Sequence, residues 1–393
     1  MPTSGSSCVS PRTDNEEMSR PAYRSWAEIS RVRIAENFQK VREAVGPAVE
    51  VLGVVKADAY GHGAVEVSRV LVEQGARWLG VSNFEEGIVL REAGIRTRIL
   101  VMADAAPGLS KMVSEYALTP VIHSLEDLEA LDRLAGGWGT RTPVHLKVDT
   151  GMGRLGTCAT GSEIARAAKG CRHLELEGLM THFASSANYT SPQTERQIEA
   201  FERVLADLRK AGAEPAWIHL SSTNPIAYGR RRAFGNMVRA GHLLYGYVSP
   251  AKGEAPPRVL NVRPVLSWKA SILSVKDVPV GALVGYGGAF RAERPTRIAV
   301  LAAGYADGVP HRMSNRGKVI AGGRLVPVIG SVSMDVTTID ITDIPWLAPG
   351  DPVTLIGREG DVELNAQQIA RWAGTISYTV LCGISSRVPR VYV

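Results

Sequence analysis

The sequence predicts an α/β fold: a (β/α)8 TIM-like barrel followed by a mainly β C-terminal domain. Two observations predict it. From Val49 to Ala240, eight short apolar, β-rich runs alternate with segments of helical spacing. After Pro264 the texture changes to short strand-like runs broken by Gly, Pro and Asp turns. The alternation alone fits an open doubly wound sheet nearly as well. The absence of GxGxxG after the first run counts against a dinucleotide-binding version of that sheet.

The eight runs occupy 49–57, 77–82, 98–103, 118–123, 144–149, 176–183, 217–222 and 236–240. Between them, Ser124-Leu125-Glu126-Asp127 opens a helix in the manner of a capping box, and Leu125, Leu128, Leu131 and Leu134 follow at intervals of three. A second helix spans 193–211, with Ile198, Phe201, Val204, Leu205 and Leu208 on one stripe. Beyond the joining segment 249–257, strand-like runs fall at 265–280, 297–303, 318–341 and 353–356, with one helix at 365–373. The expected organisation is an N-terminal disordered tail (1–21), a barrel (22–262) and a β domain (263–393).

Composition narrows the classes. With 393 residues, 45% of them hydrophobic, the chain can bury two cores. No apolar run approaches the ~18–20 residues of a membrane span, and residues 1–20 lack the apolar stretch of a signal peptide. Cys8, Cys158, Cys171 and Cys382 show no metal-like spacing, which fits reduced thiols in a cytoplasmic protein and predicts no metal site. The net charge of +6 is dispersed, with Arg230-Arg231-Arg232 as its only triplet, so nucleic-acid binding is not expected.

The strongest chemical signal is Val54-Val55-Lys56-Ala57-Asp58-Ala59-Tyr60-Gly61-His62-Gly63. A β-branched run delivers a lysine to its end, and apolar surroundings favour the neutral amine that a Schiff-base former or base requires. The glycines allow close backbone approach to a ligand. Barrel active sites lie at the C-terminal strand ends, where the sequence also puts Lys147 and Asp149, then His182, then His219 to Asn224, then Arg239 and Gly241.

VVKADAYGHG resembles the pyridoxal-phosphate lysine motif of the alanine racemase family. KVDTGMGRLG (147–156), THFA (181–184), VRAGHLLYG (238–246), GYADG (304–308), SVSMD (331–335), CGISSRVPR (382–390) and WAEI (26–29) are similar to further motifs of that family, in family order. The resemblance covers about residues 22–393. It implies a pyridoxal 5'-phosphate enzyme interconverting L- and D-alanine, an isomerase whose product supplies peptidoglycan precursors. By resemblance Lys56 would carry the cofactor and act as one base. Tyr305, contributed by the second subunit of a homodimer with shared active sites, would be the acid/base on the opposite face. Inversion needs two such groups, because one removes the proton and the other returns it. His182 would partner Tyr305, and Arg239 would contact the pyridine nitrogen. Tyr60, Thr223 and the backbone of Gly241 and His242 would hold phosphate. Arg154 and the Met334 backbone would bind the substrate carboxylate. Lys147 and Asp335 stand as supporting residues; Lys147 matches a lysine carbamylated in many family members, its plain alternative being a salt bridge with Asp149. A phenol acting near neutral pH calls for something cationic beside it.

Three departures bear on cofactor affinity and selectivity. Ser386 stands where many members have a tyrosine, Ser222-Thr223 where Asn-Ser is common, and His242 where an aliphatic residue is frequent. A broad-specificity or serine-preferring racemase is therefore the alternative function.

Overall fold

The computed structural model describes residues 23–104, 110–139 and 141–393; the expected tail at 1–21 lies outside them. Strands β2 (Glu50–Val54), β3 (Trp78–Val81), β4 (Arg98–Val101), β5 (Thr119–Ile122), β6 (Thr142–Lys147), β7 (Leu174–Met180), β8 (Trp217–His219) and β9 (Met237–Ala240) form one parallel sheet in the order β8-β7-β6-β5-β4-β3-β2-β9. Hydrogen bonds from Asn236 N to Ile218 O (3.0 Å) and from Arg239 N to Ser221 O (3.1 Å) bring β9 against β8 and nearly close the ring. The sheet is a TIM-like barrel, as the alternation predicts. Its strands read as near-continuous apolar runs because both faces are covered, by helices outside and by side chains within.

The helices follow local chemistry. Ser124 Oγ accepts from Asp127 N at 2.9 Å, which is half of the expected box. Complete reciprocal boxes form instead at Thr160/Glu163 and Asn365/Gln368. On the helix Gln193–Lys210, Ile198, Phe201 and Leu208 are buried, as their spacing predicts.

The second sheet has nine strands, and its main path runs through β15 (Arg324–Pro327), β14 (Lys318–Ala321), β17 (Pro352–Glu359), β10 (Leu266–Val278), β1 (Ser25–Ile29) and β19 (Arg390–Tyr392). Its centre is β10 (Leu266–Val278), and both chain ends flank it. Strand β1 (Ser25–Ile29) pairs antiparallel with β10 and parallel with β19 (Arg390–Tyr392). WAEI thus lies in the C-terminal sheet, although barrel sequence follows it directly. The run 318–341 proves to be three strands: β14 (Lys318–Ala321), β15 (Arg324–Pro327) and β16 (Thr337–Asp340). Gly322 and Gly323, with φ of +53° and +74°, make the tight turn between the first two. The sequence reading found one helix here; the structure adds Ser377–Cys382, which at six residues is too short to show a period.

One apolar core runs from the barrel (Leu52, Trp78) into the sheet (Trp268, Ile356), so the two parts are packed as a unit.

Candidate active site

Strand β2 ends where Val55 N bonds Gly80 O at 2.8 Å, and Lys56 follows. The next four residues take the left-handed conformation: Ala57, Asp58, Ala59 and Tyr60 have φ between +50° and +56°. For L-residues this costs roughly 1–2 kcal/mol each, so the turn needs external support. Glu86 accepts from the N–H groups of Ala57 and Ser82, both at 2.7 Å. Asp58 Oδ1 accepts from Ala64 N at 2.7 Å. Arg390 donates to Gly61 O at 2.9 Å while its other nitrogens bond the carbonyls of Ile384, Ser385 and Val388. Gly63 has no room for a side chain, since a Cβ there would lie 1.8 Å from the Tyr392 hydroxyl. The lysine motif and the closing motif are therefore one structural unit. Burial, then the positive charge of Arg154, lowers the Lys56 amine below its ordinary range.

The strained turn aims Tyr60 inward. Its ring lies 4.8 Å from that of Tyr245, whose hydroxyl donates to Val54 O at 2.8 Å. A Cβ on Gly241 would come within 2.6 Å of the Tyr60 hydroxyl, so glycine leaves a small cradle there. Among the described residues, the N–H groups of Gly241 and His242 donate to no protein acceptor. The His242 ring faces the C-terminal helix: it stacks on Tyr378 at 3.8 Å and bonds Ser377 Oγ at 2.9 Å. Its Nδ1, like the buried Asn224 Oδ1, has no hydrogen-bond partner among the described residues. Thr223 is buried beside them.

Arg239 is 3% exposed. Its Nη1 donates to His219 O and Nδ1, and its Nη2 donates to Thr181 O, Leu220 O and His182 Nδ1 (3.2 Å). Every hydrogen bond of this guanidinium within the described residues comes from those two nitrogens, so Nε–H is its uncommitted donor. Because arginine only donates, His182 Nδ1 must accept, and the ring's proton sits on Nε2. Burial and the Arg239 charge press the His182 pKa down to about 3, so this ring is neutral. The cation beside His182 is thus Arg239, and the histidine itself is neutral.

Lys147 closes β6 and is buried, its amine brought down to about 8 by burial and then by Arg154. Asp149 is engaged elsewhere: its carboxylate accepts the backbone N–H groups of Gly151, Met152 and Gly153. Among the described residues Lys147 and Asp149 form no ion pair within 4 Å. Arg154 stands exposed on the loop that Asp149 holds. Gln197 Nε2 ties the same loop to the barrel through Thr150 Oγ1 (3.3 Å) and His182 O (3.1 Å).

A second cluster gathers on the β domain. Tyr305 N bonds Ser333 O at 2.9 Å and Ala306 N bonds Met334 O at 3.0 Å, locking GYADG to SVSMD. Arg387 joins them through Asp335 (2.8 Å) and Asp307 (3.5 Å). Tyr305 is 45% exposed and Met334 53%. Among the described residues Tyr305 makes no contact with Lys56, and its ring faces that of His311, at 6.3 Å.

The structure therefore brings Lys56, Tyr60, Lys147, Arg154, His182, Thr223, Arg239, Gly241 and His242 to the barrel mouth. It leaves Tyr305, Met334 and Asp335 together on a different surface. Glu86, Tyr245 and Arg390 support the mouth, and the sequence reading missed their roles. Tyr245 and Arg390 lie in two of the quoted motifs, VRAGHLLYG and CGISSRVPR, which was the available signal. Glu86 lies on a helix with no motif of its own.

The arrangement has relatives. Residues 29–250 match the model of the alanine racemase N-terminal domain and residues 265–392 that of the C-terminal domain. The alanine racemase of Halothermothrix orenii is 40% identical over 96% of this chain and 98% of its own. The crystal structure of alanine racemase from Streptomyces lavendulae, a D-cycloserine producer, superimposes with a TM-score of 0.88. It is 32% identical and covers 95% of this chain and 98% of its own. That of Bartonella henselae, solved with covalently bound pyridoxal phosphate, gives 0.84 at 26% identity, covering 94% and 100%. Both halves matching in order, over nearly the whole length, establish that the chain belongs to the alanine racemase family.

Proposed function

We propose that this protein interconverts L- and D-alanine with pyridoxal 5'-phosphate, using Lys56 of one subunit and Tyr305 of its partner. The observation carrying the reading is the barrel mouth: a lysine amine with a lowered pKa faces the same opening as a buried arginine with one uncommitted N–H.

The residues fit the cofactor. An anionic phosphate would suit the cradle at Gly241, beside the Tyr60 hydroxyl and the N–H groups of Gly241 and His242, which have no acceptor among the described residues, and Thr223 would add its hydroxyl. Arg239 Nε–H suits an unprotonated ring nitrogen, since a guanidinium does not readily hand over its proton. When bound, pyridoxal phosphate supplies an electron-withdrawing ring and aldehyde that acidify the Cα proton of an attached amino acid. Lys56 would hold that aldehyde and move a proton at Nζ, which its lowered pKa favours. On the opposite face Tyr305 Oη would move the other proton. Its partner would be His182, whose Nε2–H is available to donate to a phenolate because Arg239 occupies Nδ1. Arg154 and the Met334 N–H would bind the substrate carboxylate, with Asp335 and Arg387 fixing the Met334 loop. Lys147 stands beside Arg154 as a supporting group.

The half-exposed Tyr305 and Met334 support a homodimer in which each barrel mouth is completed by the other chain. D-alanine made this way would supply peptidoglycan precursors in the cytoplasm. Among the described residues no helix is long and apolar enough to cross a membrane.

The test is chiral chromatography of L-alanine and L-serine incubated with purified protein and pyridoxal phosphate, beside Lys56→Ala and Tyr305→Phe. Rapid D-alanine formation by the wild type and none by the variants is expected. Faster D-serine formation would move the assignment to a serine-preferring racemase. A protein that binds the cofactor and inverts neither amino acid would overturn the reading.

A further inference from the structure

Polar side chains run through the barrel interior to Arg239. Arg98, at the start of β4, grips the Glu177 carboxylate with two contacts of 2.6 Å. Glu177 Oε2 lies 3.5 Å from His145 Nε2. His145 Nδ1 is 2.8 Å from His219 Nε2, and His219 Nδ1 is 3.1 Å from Arg239 Nη1. Both rings are fully buried.

The sheet is locally modified to seat this chain. Val144 pairs with Leu176 but His145 pairs with Gly178, so Glu177 is the extra residue of a β-bulge. Bulges re-aim side chains. Gly178 makes the room: a Cβ there would stand 2.5 Å from His145 Nδ1. The Arg98 guanidinium also lies 3.9 Å over the Trp78 ring, which packs 5.4 Å from His145.

The two ends dictate one direction. Arginine only donates, so His219 Nδ1 accepts and His219 carries its proton on Nε2. That proton is donated to His145 Nδ1, so His145 in turn carries its proton on Nε2, toward the carboxylate. At 3.5 Å this last contact is electrostatic rather than a short hydrogen bond. Burial disfavours the charged form of both rings, in keeping with two neutral imidazoles. Two dipoles aligned between an anion and a cation polarise each other and strengthen the acceptor that faces Arg239.

We propose that Glu177, His145 and His219 form a one-way relay that orients Arg239 for the cofactor ring, with Glu177 as a remote positioning residue for racemisation. The proposal rests on the reading of Arg239 as the ring-nitrogen contact. It assigns a function to two fully buried histidines and a partly buried carboxylate that neither hold phosphate nor move substrate protons.

The first measurement is the 15N spectrum of histidine-labelled, cofactor-free protein, with His145→Phe and His219→Phe assigning the two rings. Both are expected neutral, with the proton on Nε2. A proton on Nδ1 of either ring, or a doubly protonated ring, overturns the relay. The second uses cofactor-loaded Glu177→Gln and His145→Phe. Misplacing a contact to the reacting system costs up to about a hundredfold, so kcat should fall about ten- to a hundredfold with KM little changed. Transamination of the bound cofactor should rise relative to racemisation, a partition that a merely structural role would not move, and His145→Gln should recover part of the loss. Wild-type kcat and partition in both variants overturn the proposal. Failure of the wild type to bind pyridoxal phosphate would instead defeat the functional reading, and the tautomers would still decide the relay.

Discussion

The barrel mouth and the Tyr305–Met334 surface, which the proposed reaction would use together, are built differently. At the mouth, Arg239 is 3% exposed and is held by the carbonyls of Thr181, His219 and Leu220. On the β domain, Tyr305 is 45% and Met334 53% exposed, although the loops beneath them are rigidly bonded. Rigid backbone under exposed side chains would suit the partner contact proposed for them. The mouth needs internal charge and burial to tune its amine; the second surface needs only to present its groups.

The sharpest way to break this comparison is subunit mixing. Lys56→Ala should lower racemisation by more than about 10⁴-fold, and Tyr305→Phe by about 10²- to 10⁴-fold. Hybrids of the two variants would hold one doubly damaged site and one intact site. Random reassortment should therefore restore about a quarter of wild-type activity if sites are shared in a two-fold dimer. No recovery after verified subunit exchange would place Lys56 and Tyr305 in sites that are not shared.

A second prediction separates the regions by stability. Removing the four carbonyl bonds of half-buried Arg390 with Arg390→Ala should destabilise the protein by about 2–3 kcal/mol, measured as a shift in denaturant midpoint. It should also loosen the left-handed turn at the mouth and leave the GYADG–SVSMD lock intact, which hydrogen exchange of the two segments would distinguish. Gly241→Ala has a smaller and more local effect. Filling the cradle against Tyr60 should raise the cofactor dissociation constant at least about tenfold, or ~1.4 kcal/mol, with unchanged folding stability. Equal affinity would move the phosphate site elsewhere.

The smallest effect is a pH slope. The amine of Lys147 titrates near 8 in the folded protein and higher when unfolded. Between those values the unfolded chain binds more protons, so folding stability rises with pH across that window. Lys147→Met should flatten the rise between pH 7.5 and 9.5; an unchanged slope would show that this amine is not held in its lowered state.

The sequence made the barrel legible because each strand buries both faces and each helix only one, so the two periods differ plainly. It also put the polar residues now found at the mouth on the strand ends, since those ends are short and their polar residues stand out. It did not show that 318–341 is three strands, because a two-residue Gly-Gly turn barely interrupts an apolar run. Nor did it show Glu86 supporting Ala57, since the two are 29 positions apart and no periodic rule connects them.

What the sequence determined by itself is local: the alternation that builds a barrel, the lysine at the end of β2, and the glycines where no side chain fits. Three things were decided only in the tertiary structure. β1 and β19 meet in the second sheet, Arg390 holds the lysine turn, and Arg239 fixes the proton of His182. Each of these depends on groups far apart in the chain coming within hydrogen-bond range, and hydrogen-bond direction is set by which atoms meet, not by their order in the sequence.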